Sequence, residues 1–275
     1  KGDLLGLIMV AQDMTFPDAV AWLERETGIA PPRRPRRRTG DHPSRTGIVQ
    51  PGATSRAVRP DPVKTMGPAA DPDVYHAFLS ACRPVEGRPL AWLKDRGVPE
   101  DIAKGLGLRF CGREYQDIMD ALKERFGDVL VKTSGLGAFG YYFQRKTGFL
   151  VIPYFLAGRP VYLKARPPIS KDDAGRLGLI RFLNTAAAVP CLYNVDALNA
   201  QPGSVLICEG ESDTWTALSH GFAAVGTPGA KGFKAAWVEG FRAFVDADGR
   251  SRVYLVPDTD AAGAEGSRGI ADLFR

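Results

Sequence analysis

Two short acidic runs, Glu209-Gly210-Glu211-Ser212-Asp213 and Asp258-Thr259-Asp260, hold the residues whose types and spacing suit chemistry. Each follows a short, continuous apolar stretch: Val205-Leu206-Ile207-Cys208 before the first, Val253-Tyr254-Leu255-Val256 before the second. Such stretches fit strands buried on both faces of a parallel sheet. In open α/β sheets, ligands gather outside the carboxyl ends of the strands. Two neighbouring strand ends would therefore bring Glu209, Asp213, Asp258 and Asp260 into one crevice. Gly210 permits a tight turn, and Asp258 and Asp260, two residues apart in a turn, can face one ion. A hard, oxygen-only set of this kind suits Mg²⁺. Two such ions can clamp the attacking and leaving oxygens of an in-line phosphoryl displacement. The plainer reading makes Asp258 or Asp260 the N-cap of the next helix and Glu209 a solvated loop acid. A lone DxD would leave that reading standing, whereas EGxxD and DxD after two buried strands favour catalysis.

The elements that must position these acids follow from the pattern around them. From residue 201 onward the order is strand, loop, helix, repeated, with helical segments at Thr214 to His220 and Ala261 to Phe274. Upstream, Phe149 to Tyr154, a Gly158-Arg159 turn and Val161-Tyr162-Leu163 read as a β-hairpin. Residues 71–112 read as helices, with Val74, Tyr75, Phe78 and Leu79 on one face and a second segment at Leu90 to Lys94. Residues 1–30 also read as helical: Thr15-Phe16-Pro17-Asp18 has the form of a capping box, and Gly28 is a C-terminal stop. No internal repeat is present. Tyr141, Tyr142, Phe143 and Tyr154 are aromatic enough to stack on bases, but aromatics in a hairpin are more often core.

Composition sets the frame. The chain has 275 residues, 44% hydrophobic and 24% charged, which is ordinary for one large or two modest globular domains. The net charge of +5 is unevenly placed. Between Pro31 and Ala70 nine Lys/Arg face only Asp41 and Asp61, so that stretch carries +7 and the rest of the chain −2. Residues 31–70 thus read as a basic, flexible linker, either a solvated tether or a nonspecific hold on nucleic acid. The four cysteines are scattered without a CxxC, which argues against a zinc site or a disulfide framework and for a reducing cytoplasm. The longest apolar run near the start, Leu4 to Ala11, is too short to span a bilayer, so no membrane association is expected. A chain that opens on Lys1 reads as a fragment.

The acidic constellation resembles a known signature. Glu209-Gly210 with Asp213, the Gly226-Thr227-Pro228-Gly229 loop, and Asp258-Thr259-Asp260-Ala261-Ala262-Gly263 resemble the Toprim motif. That motif is shared by bacterial-type (DnaG-like) primases, type IA and II topoisomerases and some nucleases. The resemblance implies a Toprim-type parallel sheet flanked by helices. Its acids Asp258 and Asp260 would bind Mg²⁺ or Mn²⁺, and Glu209 would organise metal or act as acid–base.

Upstream residues resemble primase cores in particular. Arg181-Phe182-Leu183-Asn184-Thr185 with Leu192-Tyr193-Asn194 is similar to the "KYLNS…LYG" stretch. Leu90 to Val98 with Leu106-Gly107-Leu108 resembles the "YLxxRGl…fgLG" helix pair. Ile152-Pro153, Gly158-Arg159 and Lys164-Ala165-Arg166 resemble "fPI…GR…GGR", and Lys1 to Ile29 look like the tail that follows a zinc ribbon. The likeness implies a helical tail at 1–30, the linker at 31–70, a mixed α+β primase-core subdomain at 71–200 and a Toprim domain at 201–275. It further implies RNA primer synthesis on single-stranded DNA from ribonucleoside triphosphates, with Lys164, Arg166 and Arg181 on phosphates of the template or triphosphate, Asn184 fixing the turn or a phosphate, and a replicative helicase in cis or trans. A Toprim nuclease, a topoisomerase-like enzyme, or an inactive nucleic-acid-binding relative are the alternatives. Zinc is expected only in a region preceding this sequence. The stretch between Asn184 and Leu192 lacks a basic residue usual in the family. The chain also stops at Arg275, short of further acids, so the sheet and metal site are expected to be incomplete.

Overall fold

A computed structural model describes residues 70–185, 191–229, 232–247, 249–259 and 261–275. The expected helix in 1–30, nearly all of the linker and Asp260 lie outside the described residues. The described residues divide into two units, 70–196 and 197–275.

In the first unit, helix α1 (Pro72–Ala81) starts where the Asp71 carboxylate accepts the Asp73 amide at 2.9 Å, with Pro72 in its first turn. Its apolar residues Val74, Tyr75, Phe78 and Leu79 are all buried, as their spacing predicts. Extended backbone at Cys82 ends the helix and leads into β1 (Arg83–Pro84). Helices α2 (Gly87–Lys94) and α3 (Glu100–Gly105) precede β2 (Arg109–Cys111). Helices α4 (Tyr115–Phe126), α5 (Asp128–Thr133) and α6 (Gly140–Gln144) follow, then strands β3 (Phe149–Leu156) and β4 (Arg159–Arg166), helix α7 (Lys171–Arg176) and β5 (Leu183–Asn184).

The five strands form one antiparallel sheet in the order β1-β2-β3-β4-β5. The hairpin expected from sequence is β3–β4. Ala157 and Gly158 turn it with φ of 51° and 73°, the left-handed pair whose twist matches flanking strands. The buried Asp196 carboxylate holds that turn by accepting both of its amides at 2.8 Å. Strand periodicity then sorts the side chains. Phe149, Val151, Leu163 and Ala165 join the core with α1 and α4, while Leu150, Ile152, Lys164 and Arg166 alternate with them and take the other face.

Three buried tyrosines tie loops to this core. Tyr75, Tyr115 and Tyr142 donate to the carbonyls of Ser134 (2.7 Å), Leu136 (2.9 Å) and Ile180 (2.7 Å). Burial raises the pKa of all three phenols, Tyr115 to about 12, so they remain donors across the working range.

Two expectations are corrected here. Arg83–Pro84 and Arg109–Cys111, within a stretch read as helical, are strands of this sheet. Runs of two or three residues are too short to display a period of two. Tyr141, Tyr142 and Phe143 belong to α6 rather than the hairpin, and Tyr142 and Tyr154 are core residues.

The second unit holds a parallel sheet in the order β7-β6-β8, made of β6 (Ser204–Cys208), β7 (Ala224–Gly226) and β8 (Arg252–Val256). Helices α8 (Glu211–Ser219), α9 (Val238–Asp246) and α10 (Ala261–Phe274) complete it. Strand β8 is half-buried rather than covered on both faces, because it lies at the edge of the three described strands. Helix α8 begins three residues before Thr214, so Glu211 and Asp213 occupy its first turn, where carboxylates oppose the helix dipole. Among the described residues no helix is long and apolar enough to cross a membrane. Cys82, Cys111 and Cys208 are buried, Cys191 is half-buried, and all four are free thiols.

Tyr75→Phe removes a buried donor and leaves the Ser134 carbonyl short of one partner. Urea denaturation is expected to show a loss of about 1 kcal/mol. An unchanged midpoint would mean that this hydrogen bond does not hold the core.

Candidate functional site

The acids are positioned by register. Central β6 pairs Cys208 with Gly226 of β7 and with Val256 of β8, so three parallel strands end at one edge. Glu209 follows β6 immediately, Thr227 follows β7, and Asp258 lies two residues past β8. The Asp258 amide donates to Glu209 Oε2 at 3.1 Å, which ties the two acidic strand ends together. Thr227 stitches the third: its amide donates to the Cys208 carbonyl at 2.9 Å, and its hydroxyl lies 3.0 Å from the carbonyls of Glu209 and Gly229.

Two glycines permit this closeness. A Cβ on Gly226 would stand 2.6 Å from Thr214 Oγ1 and 3.0 Å from the Gly210 carbonyl oxygen. One on Gly263 would stand 2.3 Å from the Asp258 carbonyl oxygen, so only glycine lets α10 seat against that backbone. The Thr214 hydroxyl donates back to the Gly210 carbonyl at 2.8 Å and steadies the turn between β6 and α8.

Asp213 reports on the crowding. Its carboxyl is pushed up to about 6, first by loss of solvent, then by the charges of Asp258 and Glu209, with Glu211 adding to them. Asp213 keeps contact with solvent, and the carboxylates of Asp258, Glu209 and Glu211 oppose its ionisation. Glu211, 5% exposed, is the acid that sequence reasoning passed over. Its place between two assigned positions gave no sign that it would be buried. Among the described residues no three His, Cys, Asp or Glu side chains form a ready-made metal cage. Glu209, Asp213 and Asp258 are oxygen donors, and a divalent cation held among them would relieve their repulsion, a donor set that fits Mg²⁺ bound through few protein ligands.

The other unit gathers the predicted cations. Lys164 and Arg166 alternate on β4 and so share a face; they are 8% and 6% exposed. Asn184 of β5 lies directly opposite Lys164, and continuing that register places Phe182 opposite Arg166. The Phe182 ring centroid is 4.9 Å from the Arg166 guanidinium, 5.3 Å from that of Arg181 and 5.8 Å from Lys164 Nζ. Lys164 also lies 5.5 Å from the Tyr154 ring. Trp92 of α2 continues the cluster, 4.4 Å from Arg166 and 3.9 Å from Arg96. Burial lowers the pKa of Arg96, with Asp95 opposing and Arg181 adding to the effect. The structure thus brings Lys164, Arg166 and Arg181 together, with Asn184 beside them at the rim. Trp92, Arg96 and Phe182 were not singled out as site residues, because ring–cation spacing is a tertiary property.

No known family model matches the chain, and no curated protein does. Solved structures do. The chain is similar to the DnaG primase catalytic domain bound to ssDNA, with 15% identity and a TM-score of 0.52 over 74% of this chain and 65% of that one. It is similar to the E. coli primase catalytic core at 18% identity and a TM-score of 0.52, over 74% of this chain and 66% of that one. The zinc-binding and RNA polymerase domains of Aquifex aeolicus primase match at 15% identity and a TM-score of 0.51, over 99% of this chain and 61% of that one. The chain therefore has a mixed α/β fold of the primase catalytic-core kind and spans 61–66% of the length of these neighbours.

Asp213 titrates near 6 when folded against an ordinary 3.8, so its protonated form favours the fold. That contribution is complete below the ordinary value and disappears as pH rises through the folded one. Without divalent ions, Asp213→Asn is expected to melt above wild type at pH 7.5, by under about 1 kcal/mol after solvent screening, and level with it near pH 3. A wild type equally stable at pH 7.5 would mean the acids do not repel one another.

Proposed function

We propose that this chain is the catalytic part of a primase, joining ribonucleoside triphosphates into short RNA primers on single-stranded DNA with release of pyrophosphate. The observation that carries the reading is the Glu209–Asp258 tie across adjacent parallel strand ends, with Asp213 strained by both charges. It supports a Toprim-type site on a fold like that of the DnaG catalytic domain bound to ssDNA.

Asp258 and Asp260 would hold Mg²⁺ or Mn²⁺, with Glu209 sharing a metal or accepting the 3′-hydroxyl proton and Asp213 supporting it. The bound ion supplies Lewis-acid polarisation of the triphosphate and charge neutralisation during in-line displacement. The chain's own task is to position: Lys164, Arg166 and Arg181 bind phosphates of the template or the triphosphate, and Asn184 sits at the edge of that surface. The reading also proposes domain limits near residues 70 and 200, a replicative helicase as partner, and a cytoplasmic setting. A zinc-binding region would precede the residues shown.

The test supplies single-stranded DNA, labelled ribonucleotides and Mg²⁺ or Mn²⁺ and resolves short RNA products. Wild type is expected to make them, and Glu209→Gln or Asp258→Asn to lower the yield by about 100-fold or more. Equal yields from wild type and variants would overturn the reading. DNA cleavage that depends on the same acids would assign the site to a Toprim nuclease.

A further inference from the structure

The four cysteines are scattered in sequence, but folding brings two of them together. Strands β1 and β2 pair Arg83 with Phe110 and Pro84 with Arg109, and one more step of that antiparallel register sets Cys82 opposite Cys111. The backbone at Cys82 is extended, as that step requires. Both side chains lie in the same hydrophobic core cluster, 5% and 0% exposed, so they share a face of the sheet. Residues opposed in an antiparallel pair have Cα atoms about 4.5 to 5.5 Å apart, within the span of a disulfide. Both are free thiols here. The adjoining Cys111 thiol and burial push the Cys82 pKa up, so Cys82 stays protonated and inert while it is covered.

Its cover is slight. Strand β1 is two exposed residues at the sheet edge, held to the chain beyond β2 by an exposed ion pair from Arg83 to Glu114 at 2.8 Å. Short edges of this kind open locally at low cost, and opening β1 bares Cys82. We propose that Cys82 and Cys111 are an oxidisable pair that closes into a reversible cross-strand disulfide by exchange with a small-molecule disulfide such as oxidised glutathione. The Cys82 thiolate attacks one sulfur of that disulfide and releases the first small thiol; Cys111 then attacks the Cys82 sulfur and releases the second. Two protein S–H bonds and one small-molecule S–S bond are exchanged for one protein S–S bond and two small thiols, so the protein is oxidised and glutathione reduced. The bridge closes Arg83 to Phe110 into a loop of about 30 residues that carries α2 and α3, and so ties that helix pair to the sheet. The inference is independent of the primer-synthesis reading.

The test refolds the reduced full chain from urea in a buffer of oxidised and reduced glutathione, so that burial cannot shield the thiols. Remaining thiols are alkylated, and bridged peptides are identified by mass spectrometry. A Cys82–Cys111 peptide is expected as the dominant bridge, with Cys191 and Cys208 alkylated and the thermal midpoint raised by roughly 5 to 10 °C. Dithiothreitol should reverse that rise, and Cys82→Ala or Cys111→Ala should abolish both it and the bridge. Without urea the bridge should form slowly in wild type and about 2- to 5-fold faster in Arg83→Gln, whose β1 is held less firmly. Equal rates would overturn the opening of β1 as the route. Four free thiols after refolding would overturn the pair itself. So would a bridge to Cys191 or Cys208, or glutathione left on Cys82 or Cys111 as the end product.

Discussion

The parallel pairing of β6 with β7 on one side and β8 on the other ends three strands at a common edge. Every feature of the acidic site follows from that pairing. It sets Glu209 and the Asp258 amide 3.1 Å apart, and it crowds Asp213 against carboxylates it would otherwise avoid. The glycines are consequences too. Gly226 and Gly263 lie where neighbouring chain passes too close for a side chain, so the fold gives up packing at both points to bring the edge together. Acids so placed do not stabilise a protein on their own account. A divalent cation of the kind proposed here would relieve that repulsion.

The cationic cluster meets the mirror-image problem with different means. Lys164 and Arg166 are buried as deeply as many apolar residues, and the rings of Tyr154, Phe182 and Trp92 lie against them. Ring faces lower the cost of burying a cation. One unit thus concentrates carboxylates at a sheet edge, and the other groups cations around aromatic rings.

Much of this was legible in the sequence, for physical reasons. Val205 to Cys208 and Val253 to Val256 showed as strands because buried parallel strands are continuous apolar runs, and Glu209 and Asp258 after them meet at one sheet edge. The β3–β4 hairpin showed through its Gly158 turn, and α1 through the spacing of Val74, Tyr75, Phe78 and Leu79. Strands of two or three residues, such as Arg83–Pro84 and Arg109–Cys111, gave no period to read. Glu211 was invisible as a buried acid because burial depends on how α8 docks. The rings around Lys164 and Arg166 escaped notice because Trp92 is more than 70 residues away along the chain. Resemblance to primase cores grouped Lys164, Arg166, Arg181 and Asn184, and in the structure the first three lie around the Phe182 ring.

The most direct test of this account is paramagnetic. Mn²⁺ titrated into the isotopically labelled full chain should broaden the amide signals of Gly210, Asp213, Asp258 and Thr259 first, and Mg²⁺ should reverse the effect by competition. Glu209→Gln should weaken that broadening strongly. Broadening that begins elsewhere on the chain, or that is unchanged in Glu209→Gln, would contradict a metal-dependent site at the ends of β6 and β8.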